Sequence, residues 1–166
     1  MHFNKSQVKK QILYTLISFI GLCIFSGCST SRDSFAKGEM EKLINEGRLT
    51  FVAESVMPLR QPARHLTSLY DLKITADSVI SFLPYFGRAY QAPMDPGDIG
   101  IQFTSTDFAF QVNNVKEKRW NISIKPNDVG SIQEMLLEIF SNGTASLQVT
   151  STHREPISFR GYIKKQ

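Results

Sequence analysis

The chain has 166 residues, of which 42% are hydrophobic and 20% are charged, and its 19 basic and 15 acidic residues give a formal net charge of +4. Three of the basic residues and none of the acidic ones lie within the first 27 positions, so the other 139 residues carry a net charge of only +1. This near neutrality removes the compositional support for nucleic-acid binding, which depends on a clustered excess of Lys and Arg.

The N-terminal segment has the layout of a secretory signal. Lys5, Lys9 and Lys10 precede an apolar stretch over 12–25, and small residues follow before Cys28. As a helix this stretch would span about 21 Å, which is less than the ~30 Å hydrocarbon core of a bilayer. We therefore favour a cleaved signal over a permanent membrane span.

The residues "FSGC" at 25–28 resemble the lipobox of bacterial lipoproteins, in which small residues precede the cysteine that becomes lipidated. Cys23 follows the bulky Leu22 and does not fit this pattern. The resemblance implies a diacylglyceryl thioether and an N-acyl chain, such as palmitate, on Cys28, and two or more chains are what stable anchoring requires. The alternative is an ordinary secretory signal with an incidental cysteine.

The lipoprotein interpretation divides the chain into a signal peptide at 1–27, a lipidated tether at 28–34 and one folded domain at 35–166. Because Cys23 would leave with the signal and Cys28 would carry the lipid, no intrachain disulfide is expected. By analogy, Ser29 in place of an aspartate after the cysteine favours the outer membrane, on its periplasmic side or at the surface.

A helix is expected at the start of the domain, in "FAKGEMEKLINEG" at 35–47. Apolar residues recur there at i, i+3 and i+4: Met40, Leu43 and Ile44. Asp33 or Ser34 can act as the N-cap and Gly47 lies at the C′ position, which predicts a helix of about three turns.

From Arg48 onward the hydrophobic period changes from 3.6 to 2, which indicates half-buried strands. The clearest alternating segments are 49–54, 70–75, 108–113 and 120–125, and further strands are expected at 79–83 and 157–163. With about eight to nine short strands, the sequence predicts a mainly β fold: an antiparallel sandwich or barrel with one N-terminal helix.

The segment "SIQEMLLEIF" at 131–140 fits either a helix or a strand, because its apolar residues satisfy both periods. The Asn142-Gly143 pair that follows it is typical of a type I′ hairpin, in which both residues take positive φ. We therefore interpret the segment as a strand that pairs with the next one, "ASLQV".

Four ordered motifs carry a family resemblance: "LPYFGRAY" at 83–90, "GIQF" at 100–103, "SNGTASLQVTS" at 141–151 and "REPISFRGYI" at 154–163. Together they resemble the domain of unknown function 4251 family of Bacteroides-type envelope bacteria, over about 51–163. The resemblance implies a mostly β fold on secreted or lipid-anchored proteins. It implies no activity and no catalytic residues.

The octet "LPYFGRAY" at 83–90 is the most distinctive candidate site. Pro84 has no N–H for the ladder and should either end the strand at 79–83 or push it to a sheet edge, while Gly87 is free to take positive φ. In a structural interpretation the octet is a corner whose aromatic side chains clamp the sheet end. Arg88 would then stack on a ring or pair with a carboxylate.

In a functional interpretation the same octet lines a groove for a ligand or a peptide, since loops beside a rigid sheet commonly carry binding sites. The candidate ligand-binding residues are Tyr85, Phe86, Arg88 and Tyr90. We keep both interpretations open.

Enzymatic motifs are weak or missing from the sequence. His65 and His153 are widely separated, no G-x-S-x-G elbow or zinc-ligand spacing occurs, and no cofactor motif is present. We expect a non-enzymatic, membrane-anchored module that binds an unknown envelope ligand or protein. The alternatives are an architectural envelope protein and an envelope hydrolase that uses His153.

Overall fold

The computed structural model describes Phe35 and residues 38–91, 100–116 and 119–165. This part of the chain contains one short helix, α1 (Glu39–Asn45), and nine strands. The strands are β1 (Leu49–Pro58), β2 (Arg64–Ile74), β3 (Val79–Pro84), β4 (Gly100–Ser105), β5 (Phe108–Lys116), β6 (Arg119–Pro126), β7 (Ile132–Phe140), β8 (Thr144–Ser151) and β9 (Ile157–Ile163). The predicted mainly β fold is confirmed.

All nine strands belong to one antiparallel sheet in the order β4-β3-β2-β1-β9-β8-β7-β6-β5. The first and last strands lie side by side in its middle, and every other neighbour is also a neighbour in sequence. The sheet curls into a nearly closed barrel. A strand that is half buried in such a barrel exposes every second residue, which explains the alternation in the sequence.

The barrel stays open between its edge strands, β4 and β5. In an antiparallel sheet of nine strands the two edges run in the same direction, and only Thr106 and Asp107 link them. Parallel strands cannot pair across so short a connection, so the chain turns a corner here. Asp128 caps the corner, because its carboxylate accepts bonds from the Ser105 hydroxyl and from the Thr106 N–H at 2.9 Å.

The core fills the inside of the curled sheet with residues from all parts of the described chain. Phe51 of β1 and Phe159 of β9 are its largest fully buried side chains, and β6 and β7 add aliphatic residues. Met40 and Ile44 of α1 join the same cluster. The helix therefore covers core surface that the sheet alone would leave open.

A bulge and a glycine shape the middle of the sheet. The register of β1 shifts between Ala53 and Ser55 against both neighbouring strands, which increases the local twist. Gly161 of β9 lies opposite Ala53, and a Cβ built there would overlap the carbonyl oxygen of Val52. Only glycine lets the two backbones approach this closely.

The helix is shorter than predicted at its N-terminal end. It begins at Glu39 after Gly38, whose φ of 86° is left-handed, and no side chain caps it. The N-cap residues predicted at 33 and 34 lie outside the described residues. Its C-terminal end follows the prediction, with Gly47 at φ 62°.

The hairpin between β7 and β8 is confirmed, but the type I′ turn was wrong. In the described residues only glycines have positive φ, so Asn142 does not adopt the left-handed conformation that a type I′ turn demands. Instead the Gly143 N–H donates to the Phe140 carbonyl at 2.9 Å and Gly143 has a φ of 83°. This is a three-residue loop in which only the last residue is left-handed.

Within the described ranges, no helix has the length and apolar character needed to cross a membrane.

Candidate functional site

The corner at Leu83–Tyr90 is joined by backbone hydrogen bonds to the loop between β8 and β9. The Tyr90 N–H donates to the His153 carbonyl at 2.7 Å, and the Glu155 N–H donates to the Arg88 carbonyl at 2.9 Å. These bonds form a short antiparallel bridge outside the main sheet. The two loops therefore hold each other in place at this end of the barrel.

Tyr85 is the centre of this corner. Its hydroxyl donates to the Arg88 carbonyl at 2.7 Å and also lies 3.0 Å from the Glu155 carbonyl oxygen. The guanidinium of Arg154 stacks 5.1 Å from its ring centroid and donates to the Gly100 carbonyl at 2.6 Å. Burial, and then the nearby charge of Glu155, raises the pKa of Tyr85 above its ordinary value.

Two expectations for the octet were wrong in detail. Gly87 is not among the glycines with positive φ; a Cβ there would instead collide with the Tyr85 side chain. The second expectation was that Arg88 stacks on a ring of the octet. The guanidiniums that do so belong instead to Arg154, over Tyr85, and to Arg64, 5.5 Å from the centroid of Phe86. They come from other loops and strands, and sequence spacing does not reveal such partners.

The four candidate binding residues occupy different environments. Tyr85 and Phe86 are half-buried and pack against the core cluster, whereas Arg88 and Tyr90 are exposed, Tyr90 to 67%. The Tyr85 hydroxyl makes its hydrogen bonds to carbonyl groups within the corner itself. Tyr85 therefore has a structural role in the corner, and of the four candidates only Arg88 and Tyr90 face solvent. The loop at 92–99 and Cys28 lie outside the described residues.

Glu155 adds a buried charge to the corner. Its side chain is 4% exposed and pairs with the Arg60 Nε at 3.2 Å, from the loop between β1 and β2. No hydrogen bond or ion pair joins the imidazole of His153 to another side chain that the structure describes. Nor do the described residues contain a cluster of three His, Cys, Asp or Glu suited to a metal.

A second candidate site lies at the other end of β1. It is an open cleft of about 640 Å³ on the outer surface of the sheet, which we call the basic cleft. Its lining residues are Arg48, Thr50, Asp71, Lys73, Thr75, Lys164 and Lys165. Four basic side chains and one carboxylate give it a net charge of +3.

Strand register builds the centre of the basic cleft. Lys73 of β2 pairs directly with Thr50 of β1, and on the other side the Lys164 N–H donates to the Thr50 carbonyl at 2.8 Å. The two lysines therefore flank one threonine across three adjacent strands. Both are exposed, and no described carboxylate lies within ion-pairing distance of either.

The rim of the basic cleft is fixed by a turn. The Thr75 hydroxyl donates to the Asp77 carboxylate at 2.6 Å, and the Ser78 N–H donates to the Thr75 hydroxyl at 3.0 Å. The bond from Thr75, together with a backbone N–H, lowers the pKa of Asp77. This site was not predicted from the sequence, where its only signal was the outward position of Lys73 and the Lys164-Lys165 pair.

A third feature is an exposed apolar patch on β2 and β3. Leu69, Ile80 and Phe82 are exposed to 69%, 39% and 46%, and the Tyr70 ring stacks on Phe82 with centroids 5.7 Å apart. β3 is the neighbour of the edge strand β4. Exposed apolar surface beside a sheet edge is typical of a protein contact.

Comparison with known proteins agrees with this architecture. A family model described as "Domain of unknown function (DUF4251)" matches residues 32–163. The chain is similar to a crystal structure, at 1.95 Å resolution, of a DUF4251 family protein from Bacteroides eggerthii DSM 20697. That match has a TM-score of 0.53 and 12% identity, and it covers 74% of this chain and 83% of that one. A search of curated proteins finds no significant match. Because the family model matches most of the sequence, over residues 32–163, the chain belongs to the DUF4251 family.

Proposed function

We propose that this protein is a lipid-anchored envelope module that binds a ligand or a partner and does not catalyse a reaction. The anchor rests on the "FSGC" motif, in which Cys28 follows a basic and then an apolar segment. Phe35, seven residues later, already packs against the core cluster. A lipid on Cys28 would therefore hold the barrel close to the membrane on a short tether.

The basic cleft is the observation that best supports a binding role. It is an open depression that gathers four basic side chains around one carboxylate. Such an arrangement suits an anionic ligand, because the lysines and the arginine supply charge and the hydroxyl of Thr50 supplies a hydrogen bond. The corner at Leu83–Tyr90, by contrast, uses its most distinctive side chain, Tyr85, in its own structure.

The anchor is tested by replacing each cysteine in turn in the full-length chain. We expect Cys28→Ala to leave the protein unprocessed or soluble, and Cys23→Ala to leave it processed and membrane-bound. Fractionation of cells and mass spectrometry of the mature N-terminus give the result. Equal membrane partitioning of both variants, or an unmodified Cys28, would refute lipid anchoring.

An architectural role is the second candidate, and the apolar patch on β2 and β3 favours it. A partner protein would cover Ile80 and Phe82 and contact the edge strand β4. We expect Phe82→Ser to abolish capture of a stoichiometric envelope partner in cross-linking, whereas Val112→Ser, at a similarly exposed position on β5, would not. Unchanged capture by Phe82→Ser would contradict this role.

A further inference from the structure

We propose that the basic cleft binds the phosphate groups of anionic lipids in the membrane to which the protein is anchored. The inference deepens the proposed function and rests on its lipid anchor. Four observations carry it: the local excess of positive charge, the spacing of the basic side chains, the entry point of the chain and the length of the tether.

The basic cleft carries a local excess of positive charge. After removal of residues 1–27 the chain has a net charge of +1, and the basic cleft alone accounts for +3. The rest of the mature chain is therefore net negative, at −2. An anionic membrane surface attracts a local excess of positive charge of this size.

The spacing of the side chains suits a phosphate. Residues directly opposite each other in an antiparallel sheet have Cβ atoms about 4.5–5.5 Å apart, so Lys73 and Lys164 stand on either side of Thr50. A phosphate oxygen above Thr50 can meet an ammonium from each side. Lysines bind phosphate as point charges and need no fixed angle, which suits the phosphodiester of a mobile lipid headgroup.

The chain enters the domain beside the basic cleft. The ring of Phe35 lies 5.3 Å from the Lys165 Nζ, and a Cβ built on Gly143 would come within 2.7 Å of that ring. Phe35 is thus held against the turn between β7 and β8. The first described residue of the domain and a basic residue of the cleft are neighbours.

The tether explains why lipid phosphate, and not free phosphate, is the ligand. Phe35 lies seven positions after Cys28, a distance of at most about 25 Å when the chain is extended. A short tether turns headgroup binding into an intramolecular event at an effective concentration of roughly millimolar. Weak, open binding surfaces such as this one become occupied under those conditions.

The test uses residues 34–166 without the lipid, so that the barrel alone is measured. This segment forms a compact unit with its own hydrophobic core; circular dichroism and a thermal melt verify each variant. We expect binding to phosphatidylcholine vesicles that contain phosphatidylglycerol and none to phosphatidylcholine alone. The binding should weaken as salt shortens the Debye length from ~30 Å at 0.01 M to ~10 Å at 0.1 M.

The decisive variant is the double substitution Lys73→Gln and Lys164→Gln. Each lysine near an anionic surface is worth about fivefold in affinity, so the pair should lose about thirtyfold. The matched control, Lys125→Gln with Arg160→Gln, removes the same charge from exposed positions on β6 and β9 and should lose far less.

Three results would overturn the proposal: equal loss in both double variants, equal binding to both kinds of vesicle, or binding of inorganic phosphate in the cleft without binding to anionic vesicles. Each is independent of the Cys28→Ala experiment. Failure of the vesicle assay leaves the anchor standing, and an unmodified Cys28 leaves the vesicle result as it is.

Discussion

The substitution Tyr85→Phe measures how far the Leu83–Tyr90 corner serves stability. It removes one hydroxyl and leaves the ring under the Arg154 guanidinium in place. The Arg88 carbonyl keeps a second partner, the Glu155 N–H at 2.9 Å, but the Glu155 carbonyl loses the hydroxyl that lies 3.0 Å from it. The loss therefore amounts to one hydrogen bond and one carbonyl left with poorer partners.

The expected cost is about 1–2 kcal/mol of unfolding free energy, since one net hydrogen bond contributes about 0.5–1.5 kcal/mol and an unsatisfied buried group costs about 1–3 kcal/mol. For a domain of this size that corresponds to a fall in Tm of about 5 °C. Tyr90→Phe is the matched control, because Tyr90 is 67% exposed and its change should stay within about 0.5 kcal/mol.

Chemical denaturation at neutral pH and at alkaline pH gives both parts of the result. Because the pKa of Tyr85 is raised, the folded protein holds this proton more tightly than the unfolded chain does. The contribution of this raised pKa to the free energy of unfolding is fully present below pH ~10 and is lost as the pH rises through the folded-state pKa of Tyr85. Tyr85→Phe should therefore also flatten the alkaline loss of stability.

Equal melting temperatures for Tyr85→Phe and Tyr90→Phe would refute this account of the corner. The hydroxyl would then be available for something other than the fold. A ligand that binds the wild type and Tyr90→Phe, but not Tyr85→Phe, would point to the groove that the sequence left open.

Two further substitutions test the sheet. Gly161→Ala should lower the free energy of unfolding by several kcal/mol, because the added methyl would lie 2.9 Å from the Val52 carbonyl carbon. Gly130→Ala, with open space around it, should change that free energy by less than about 1 kcal/mol. Similar thermal melts for the two variants would contradict the close approach of β1 and β9. Asp128→Asn should lower stability at pH 7 and remove the acid-dependent part of it. Hydrogen bonds, first from the Ser105 hydroxyl, depress the pKa of Asp128. Its contribution to stability is therefore present above the unfolded pKa near 3.9 and is lost as the pH falls through the folded-state pKa. In urea unfolding at pH 7 and at pH 3, the difference in unfolding free energy between wild type and variant should be smaller at pH 3.

The strands could be predicted from the sequence because alternation is a direct consequence of a half-buried sheet. Ile122 and Ile124 of β6 face the core, and so do Leu137 and Ile139 of β7, as a period of 2 requires. The errors occurred where backbone conformation decides. Asn142 was expected at positive φ, but a three-residue loop satisfies the hairpin with Gly143 alone.

The basic cleft could not be predicted, because its residues meet only through strand order. Lys73 and Lys164 are 91 positions apart, and they flank Thr50 only because β1 lies between β2 and β9. Periodicity reveals which residues of a strand face outward, but it does not reveal which strands are neighbours. The corner was visible in the sequence as a dense motif, yet its partner Arg154 was hidden for the same reason.

The pairing of β1 with β9 also separates the two candidate sites. Both strands have one end at the basic cleft, next to Arg48 and Lys164, and the other end at the corner, next to Arg60 and Glu155. Ten residues of β1 at ~3.3 Å each place these ends about 30 Å apart. If the basic cleft contacts the membrane, the corner with exposed Tyr90 lies at the far end of these strands from that contact. A membrane-bound barrel can therefore present the corner to a partner without releasing the lipid. Lipid binding at the basic cleft and partner binding at the corner are thus compatible, and a partner that binds the corner should bind vesicle-docked protein as tightly as free protein.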